Sequence, residues 1–418
     1  MSRVVFIIAL VCLAFSVRAA QPNVVFIISD DQHFGDYGFM GHEHVETPHL
    51  DALAQRSLVF RRGYVTTSLC CPSLATMLTG QSPRRHGITG NLPGQNRPEF
   101  GAQQQAYIDM MRAAQPLPTV LAQHGYLSFQ SGKWWCGSYE TGGFTHGMTH
   151  GDPARGGRHG DAGLAIGRQG LAPIADFLDH TLAEEQPFFL WYAPFLPHTP
   201  HNPPERLFEK YRAMNDSPHV ARYWAMCEWF DETCGELLAM LDEKGVADNT
   251  LIVYICDNGW INRPDRQGYA PRSKRSPYDG GLRTPIMLCW PGVIEPGERD
   301  DIATNLDLLP TALAACGIDI PETIDGVDLL DPAGLRRTSF SGAVYSHDAV
   351  DIHTPQANLE YRWRIDGRWK LIVPNAQRFP DRSTELYDII ADPEEENEVS
   401  AQHPDVVRAM TADLEVQP

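Results

Sequence analysis

Seven side chains in this sequence are of types that could hold a hard cation and an anion side by side. Asp30 and Asp31 follow the apolar run VVFIIS, Lys133 follows YLSFQ, His198 follows FFLWYA, and Asp257 and Asn258 follow LIVYIC. Three carboxylates and an amide are hard oxygen donors, which suit calcium or magnesium better than zinc. A cage so rich in protein oxygens tolerates the flexible geometry of calcium, so Ca2+ is the expected ion. Cys70 and Cys71 precede Pro72, a residue suited to the first turn of a helix. They are therefore expected just before a helix N-terminus, where free backbone N–H groups favour anions and lower a thiol pKa. Cys71 reads as a buried core thiol and Cys70 as a reaction centre.

These side chains need a scaffold that brings distant segments to one edge. The runs at 24–29, 126–130, 188–193, 251–256 and 285–290 lack polar alternation, as strands buried on both faces do. Helical patterns at 48–57, 72–79, 117–124, 171–183 and 223–241 alternate with them. The last carries Tyr223, Met226, Phe230, Cys234, Leu237, Leu238 and Leu241 on one stripe. The expected fold class is α/β, with a mixed, largely parallel sheet sandwiched by helices. In such sheets ligands bind outside the carboxyl ends of the strands, where the site residues above recur. Gly-rich stretches at 87–106 and 136–170 are long enough to be functional loops. In the second, His146, His150, Asp152, Arg155, Arg158 and His159 could line a cleft that reads a polyanionic glycan. Beyond about Asp331, YRWRID, RWKLIV and ELYDII read as antiparallel strands, followed by the acidic DPEEENE run and a helix over 404–414. The expected division is a leader at 1–19, a catalytic domain at 20–330 and a smaller C-terminal α+β subdomain at 331–418.

The order of motifs resembles the formylglycine-dependent sulfatase family of the alkaline phosphatase superfamily over nearly the whole mature length. NVVFIISDDQ is similar to its opening strand and metal-binding Asp pair, CCPS with LTG to its Cys-X-Pro-Ser-Arg signature, and SGKWW to Gly-Lys-Trp-His. LPHTPH, CDNGW and KRSPYDGGLRTP resemble its substrate-binding His segment, second metal pair and Lys-containing motif. The resemblance implies an alkaline-phosphatase-like fold. It also implies oxidation of Cys70 to formylglycine by a maturation enzyme, one hydroxyl of whose hydrate attacks the sulfur of a sulfate ester while the other later expels sulfate. Asp30, Asp31, Asp257, Asn258 and residue 70 would be the calcium ligands. Lys133 and Lys274 would hold sulfate oxygens, and His198 would stand on the leaving-group side as general acid. A sulfated carbohydrate is the implied substrate. Two positions depart from the family pattern: Leu74 replaces the signature Arg, and Trp135 replaces the His after Gly-Lys-Trp. Trp135 reads either as a sugar-stacking substrate contact or as packing beneath the loop.

Composition narrows the partners. The 418 residues carry a formal charge of −19, which repels nucleic acid and anionic membranes. MSRVVFIIALVCLAFSVRAA reads as a secretory leader cleaved after Ala19, so a secreted or periplasmic protein is expected. No later segment is long and apolar enough to span a membrane. The other cysteines read as small buried hydrophobes, and Cys227 and Cys234, roughly 10 Å apart along a helix, are too distant to bridge. Two alternatives stay open: a phosphoester or phosphonate hydrolase using Cys70 unmodified, and a calcium-stabilised binding protein that has lost turnover.

Overall fold

The computed structural model describes residues 21–152, 157–332 and 336–416. The leader expected at 1–19 and Arg155 lie outside the described residues. Thirteen strands are found among them: β1 (Asn23–Ser29), β2 (Leu58–Tyr64), β3 (Leu127–Gly132), β4 (His146–Gly147), β5 (Phe188–Ala193), β6 (Thr250–Cys256), β7 (Arg283–Cys289), β8 (Gly297–Arg299), β9 (Ala303–Thr304), β10 (Ser339–Tyr345), β11 (Leu359–Asp366), β12 (Trp369–Pro374) and β13 (Glu385–Asp388). The large sheet runs in the order β4-β3-β5-β1-β6-β7-β2-β8, with β9 paired to β2. Its first five strands are parallel, whereas β7 lies antiparallel to both β6 and β2. The four strands β10 to β13 form a separate antiparallel sheet.

Strand β1 explains the sandwich. Val24, Phe26 and Ile28 enter one core cluster, while Val25 and Ile27 enter the other, because alternate side chains leave opposite faces. Burying each such side chain contributes roughly 1.5–3 kcal/mol. Helices Cys70–Thr79 and Leu308–Ala315 cover the first face; Pro48–Gln55, Ala172–Ala183 and Pro218–Glu243 cover the second. The seven residues expected as a stripe on the long helix are all buried. Phe340, Tyr361, Trp363 and Ile372 of the small sheet join the first cluster, so that sheet shares the core of the helix bearing Cys70. Its opposite face packs against Met410 and Leu414 of helix Pro404–Val416. No helix among the described residues is long and apolar enough to cross a membrane.

Local differences from expectation have local causes. The helix expected at 72–79 begins at Cys70, with Leu69 as its N-cap, which places Pro72 in the first turn instead of at its first position. Both cysteines therefore belong to the helix instead of preceding it. A helix at Phe100–Ala113 occupies part of the stretch read as loop, anchored by buried Phe100, Tyr107, Ile108 and Met111. Strand β2 was not anticipated, since Arg61 and Arg62 interrupt its apolar pattern.

Candidate active site

The carboxyl ends of β1, β3, β5 and β6 converge as expected, and backbone bonds stitch them together. Asp30 N donates to Leu196 O at 3.0 Å, Lys133 N to Ala193 O at 2.8 Å, and Asp257 N to Ser29 O at 2.9 Å. Gly132 makes the approach of Lys133 possible: its φ is 82°, and a Cβ there would lie 1.8 Å from Ala193 O. Asp31 adopts a φ of 64°, a left-handed conformation uncommon for a residue other than glycine and one that marks functional sites.

The side chains interlock. Lys133 Nζ donates to both Asp30 oxygens at 2.8 Å and to Asp257 Oδ2 at 3.4 Å. Lys274 Nζ donates to Asp31 Oδ1 at 2.5 Å and lies 3.3 Å from Cys70 Sγ. Asn258 Nδ2 donates to Asp31 Oδ1 at 2.7 Å. His198 Nδ1 meets Thr199 O at 2.6 Å, and its Nε2 lies 3.5 Å from Asp31 Oδ2. Lys274 reaches in from the β6–β7 connection, which Arg275 N pins to Ser68 O at 2.9 Å, two residues before Cys70. Ligand atoms of Asp30, Asp31, Cys70 and His198 all lie within 4.8 Å of one another, and all four residues are buried.

Charge balance and orphaned oxygens show that the donor set fits a hard cation. Three buried carboxylates face two lysines. Burial and the neighbouring Asp30 push Asp257 up to about 8. Burial likewise raises Asp30, with Lys133 opposing. For Asp31, burial is outweighed by Lys274, His198 and Lys133, which hold it down at about 2. Asp31 Oδ2 and Asn258 Oδ1 are buried without a hydrogen-bond partner. Such atoms cost free energy unless something coordinates them. A divalent ion held by Asp30, Asp31, Asp257 and Asn258 would satisfy both orphans and the excess negative charge.

One expectation is corrected, and a choice between two readings is narrowed. The Cys70 thiol was expected to be acidified, but burial raises its pKa and the pull of Lys133 and Lys274 does not overcome this. Trp135 is 1% exposed and tilts against Trp134 at 5.0 Å between ring centroids. It packs within the core cluster instead of offering an open face to a sugar. Leu74 is also 1% exposed, on a helix whose ten residues are all buried. An aliphatic side chain suits that environment.

Of the loop residues, His159 comes closest to the reaction centre, its ring 5.1 Å from His198. Arg158 Nη1 lies 3.6 Å from Asp348 Oδ1. His146 packs instead against Phe177 and His180, and His150 and Asp152 donate backbone N–H groups to Asp161. Sequence reasoning missed Asn91, His347 and Asp348. Asn91 Nδ2 lies 4.0 Å from Cys70 Sγ and 3.4 Å from His347 Nε2, and His347 Nδ1 lies 2.7 Å from Asp348 Oδ1. Asn91 sits in a Gly-rich stretch, and His347 and Asp348 follow β10 more than 250 positions later. No local pattern links them.

The family model described as Sulfatase matches residues 22–318, and one described as N-sulphoglucosamine sulphohydrolase, C-terminal, matches 269–417. Human arylsulfatase A is 30% identical over 379 residues, covering 77% of this chain and 69% of its own. An N-acetylgalactosamine-6-O-sulfatase of Bacteroides thetaiotaomicron is 23% identical over 494 residues, covering 95% and 93%. Among solved structures, Ps i-CgsB in complex with k-i-k-neocarrahexaose superposes with a TM-score of 0.76 at 23% identity, covering 94% and 92%.

Proposed function

The chain belongs to the sulfatase family and is a sulfuric ester hydrolase, and we propose that it acts on a sulfated carbohydrate outside the cytoplasm through a formylglycine matured from Cys70. The observation that carries this reading is the placement of Lys274 Nζ 3.3 Å from Cys70 Sγ and 2.5 Å from Asp31 Oδ1. One ammonium thereby touches both the candidate nucleophile position and the candidate metal cage. A maturation enzyme would supply the aldehyde, whose hydrate gives residue 70 a hydroxyl nucleophile that a buried thiol with a raised pKa does not provide. Calcium held by Asp30, Asp31, Asp257 and Asn258, with residue 70 beside them, would neutralise charge on the bound sulfate.

The remaining chemistry belongs to side chains of this chain. Lys133 is held above its ordinary value: burial opposes this, but Asp30, Cys70 and Asp257 win. Lys274 is raised in the same way, with Asp31 the leading opponent of burial. Both lysines therefore stay charged at neutral pH and can bind and orient sulfate oxygens, the contacts that strengthen as charge develops. His198 is pulled down to about 3, chiefly by burial, with the two lysines adding to it and Asp31 opposing. When Nδ1 donates to Thr199 O, Nε2 faces the reaction centre as an acceptor. A bound anionic ester favours protonation there, and the resulting imidazolium can return its proton to the departing sugar oxygen. The near-absence of solvent around Cys70, Lys133 and His198 strengthens each of these interactions.

Turnover of a chromogenic aryl sulfate and of the matching aryl phosphate, each with calcium and with chelator, tests the reading. Calcium-dependent sulfate release is the expected result. Robust phosphate release without sulfate release would replace it with the phosphoester alternative, and no turnover of either with the binding protein.

A further inference from the structure

The segment that carries His198 has few main-chain ties. Among the described residues no main-chain hydrogen bond links residues 197–203 to the rest of the fold, and Pro197, Pro200 and Pro203 have no N–H to offer. One side chain supplies what is missing. Arg168 Nη2 donates to Phe195 O at 2.8 Å and reaches His198 O at 3.5 Å, while its Nη1 donates to Asn202 Oδ1 at 2.6 Å. The guanidinium therefore grips the segment before, at and after His198. It lies over the Trp229 ring of helix Pro218–Glu243 at 5.3 Å. A tight turn delivers it: Gly167 N donates to Gly170 O at 3.2 Å, and the two glycines have φ of 75° and 85°.

We propose that Arg168 is a positioning residue for the departure of the leaving group: by holding the carbonyls of Phe195 and His198, it keeps His198 Nε2 aimed at the leaving-group oxygen. This rests on the sulfate-ester hydrolase reading above and adds to it a residue that makes no hydrogen bond to the candidate metal cage. Three observations carry it. The two residues whose carbonyls share the guanidinium also stack, the rings of Phe195 and His198 lying 4.1 Å apart at 27°. Lys133 Nζ stands 5.6 Å from the centre of the same Phe195 ring, so the stack adjoins the anion-binding floor. The bond between His198 Nδ1 and Thr199 O at 2.6 Å lies within the segment; it orients the ring but does not anchor the segment to the fold. As the S–O bond breaks, its electron pair stays on the departing oxygen and the proton on His198 Nε2 passes to it. Such a transfer needs donor and acceptor within hydrogen-bond reach, and a misplacement of about 1 Å can cost about 10²-fold in rate.

The test compares kcat/KM for 4-nitrophenyl sulfate, whose leaving group departs readily without a proton, with that for phenyl sulfate, whose more basic leaving group gains from one. In Arg168→Ala the ratio of nitrophenyl to phenyl turnover is expected to rise at least about tenfold over wild type, the loss falling on the phenyl ester. Arg168→Lys keeps the charge but not the planar fork and should fall between the two. It also decides the matter if the alanine variant does not fold: a ratio raised at least about threefold upholds the proposal, and a wild-type ratio overturns it. In a His198→Ala background, Arg168→Ala should leave the ratio where His198→Ala alone puts it, because both act through one group. An equal fall for both esters, or a further change of the ratio in that background, would mean that Arg168 only supports the fold and would overturn the proposal. Wild-type turnover with a ratio that His198→Ala does not move would also overturn it, yet leave the hydrolase reading standing. If the wild type hydrolyses neither ester, the hydrolase reading fails and the proposal fails with it.

Discussion

Two clusters of buried charge lie five residues apart along one connection, and they differ in how fully their polar atoms are matched. At Lys274 three carboxylates face two lysines. At Asp279 two carboxylates face one: Lys370 Nζ of β12 lies 2.6 Å from Asp279 Oδ1 and 2.8 Å from Glu395 Oε1. The second cluster is sealed by its own chain. Tyr64 OH donates to Asp279 Oδ2 at 3.2 Å, Asp279 N donates to Glu395 Oε2 at 2.5 Å, and burial with Asp279 pushes Glu395 up to about 7, Lys370 opposing. The first leaves Asp31 Oδ2 and Asn258 Oδ1 without hydrogen bonds; in the second, Glu395 Oε1 also accepts none but has Lys370 Nζ 2.8 Å away. Both clusters keep a lysine against each carboxylate; the first differs in its buried amide oxygen, Asn258 Oδ1, which no donor meets and which a hard cation would use. The second cluster is a joint that also serves the site. Gly259, next to Asn258, donates its N–H to Gly281 O at 2.9 Å, and Gly281 leaves no room for a Cβ against Ser273 O.

Breaking the joint should give the largest loss of stability. Lys370→Met leaves two buried carboxylates without their cation, which typically costs about 3–5 kcal/mol. Thermal unfolding is expected to show it at once, and unchanged melting would mean the cluster carries no net stabilisation. Breaking the site should act on turnover instead. Lys274→Ala is expected to lower sulfate-ester kcat by about 10²–10³-fold, the cost of removing one preorganised charge donor, while melting moves far less than for Lys370→Met. Adding calcium sharpens the contrast, since only the open cluster should respond. An ion at 100 times its Kd stabilises by about 2.7 kcal/mol, so calcium should raise the melting temperature of wild type but not of Asp257→Ala. The smallest effect is on pH dependence. Because the pKa of Glu395 is raised on folding, its contribution to stability is complete below about 4.5 and is lost as pH rises through about 7. Between pH 5 and 8, Glu395→Gln should therefore lose less stability than wild type, and parallel profiles would contradict the assignment.

What the sequence disclosed follows the same division between local and distant causes. Strands β1, β3, β5 and β6 were legible because parallel strands buried on both faces read as unbroken apolar runs. Their carboxyl ends then gave Asp30, Asp31, Lys133, His198, Asp257 and Asn258. Strand β10 was not legible, because SFSGAVY is weakly apolar and Gly342 is small so that Trp363 can cover it. The state of the Cys70 thiol was misjudged for a related reason: a helix start is visible in sequence, but burial is set by segments that arrive from elsewhere. Trp135 shows the same limit, since an indole next to a catalytic lysine is equally consistent with a sugar platform and with core. The rim formed by Asn91, His347 and Asp348 exists only once the small sheet has docked.

The identity of residue 70 is the most direct test of the proposed chemistry. Mass spectrometry of the tryptic peptide 63–84, from protein made in its native host, should find an aldehyde in place of the thiol. An intact cysteine in catalytically active protein would contradict the formylglycine mechanism and return the reaction centre to an unmodified Cys70.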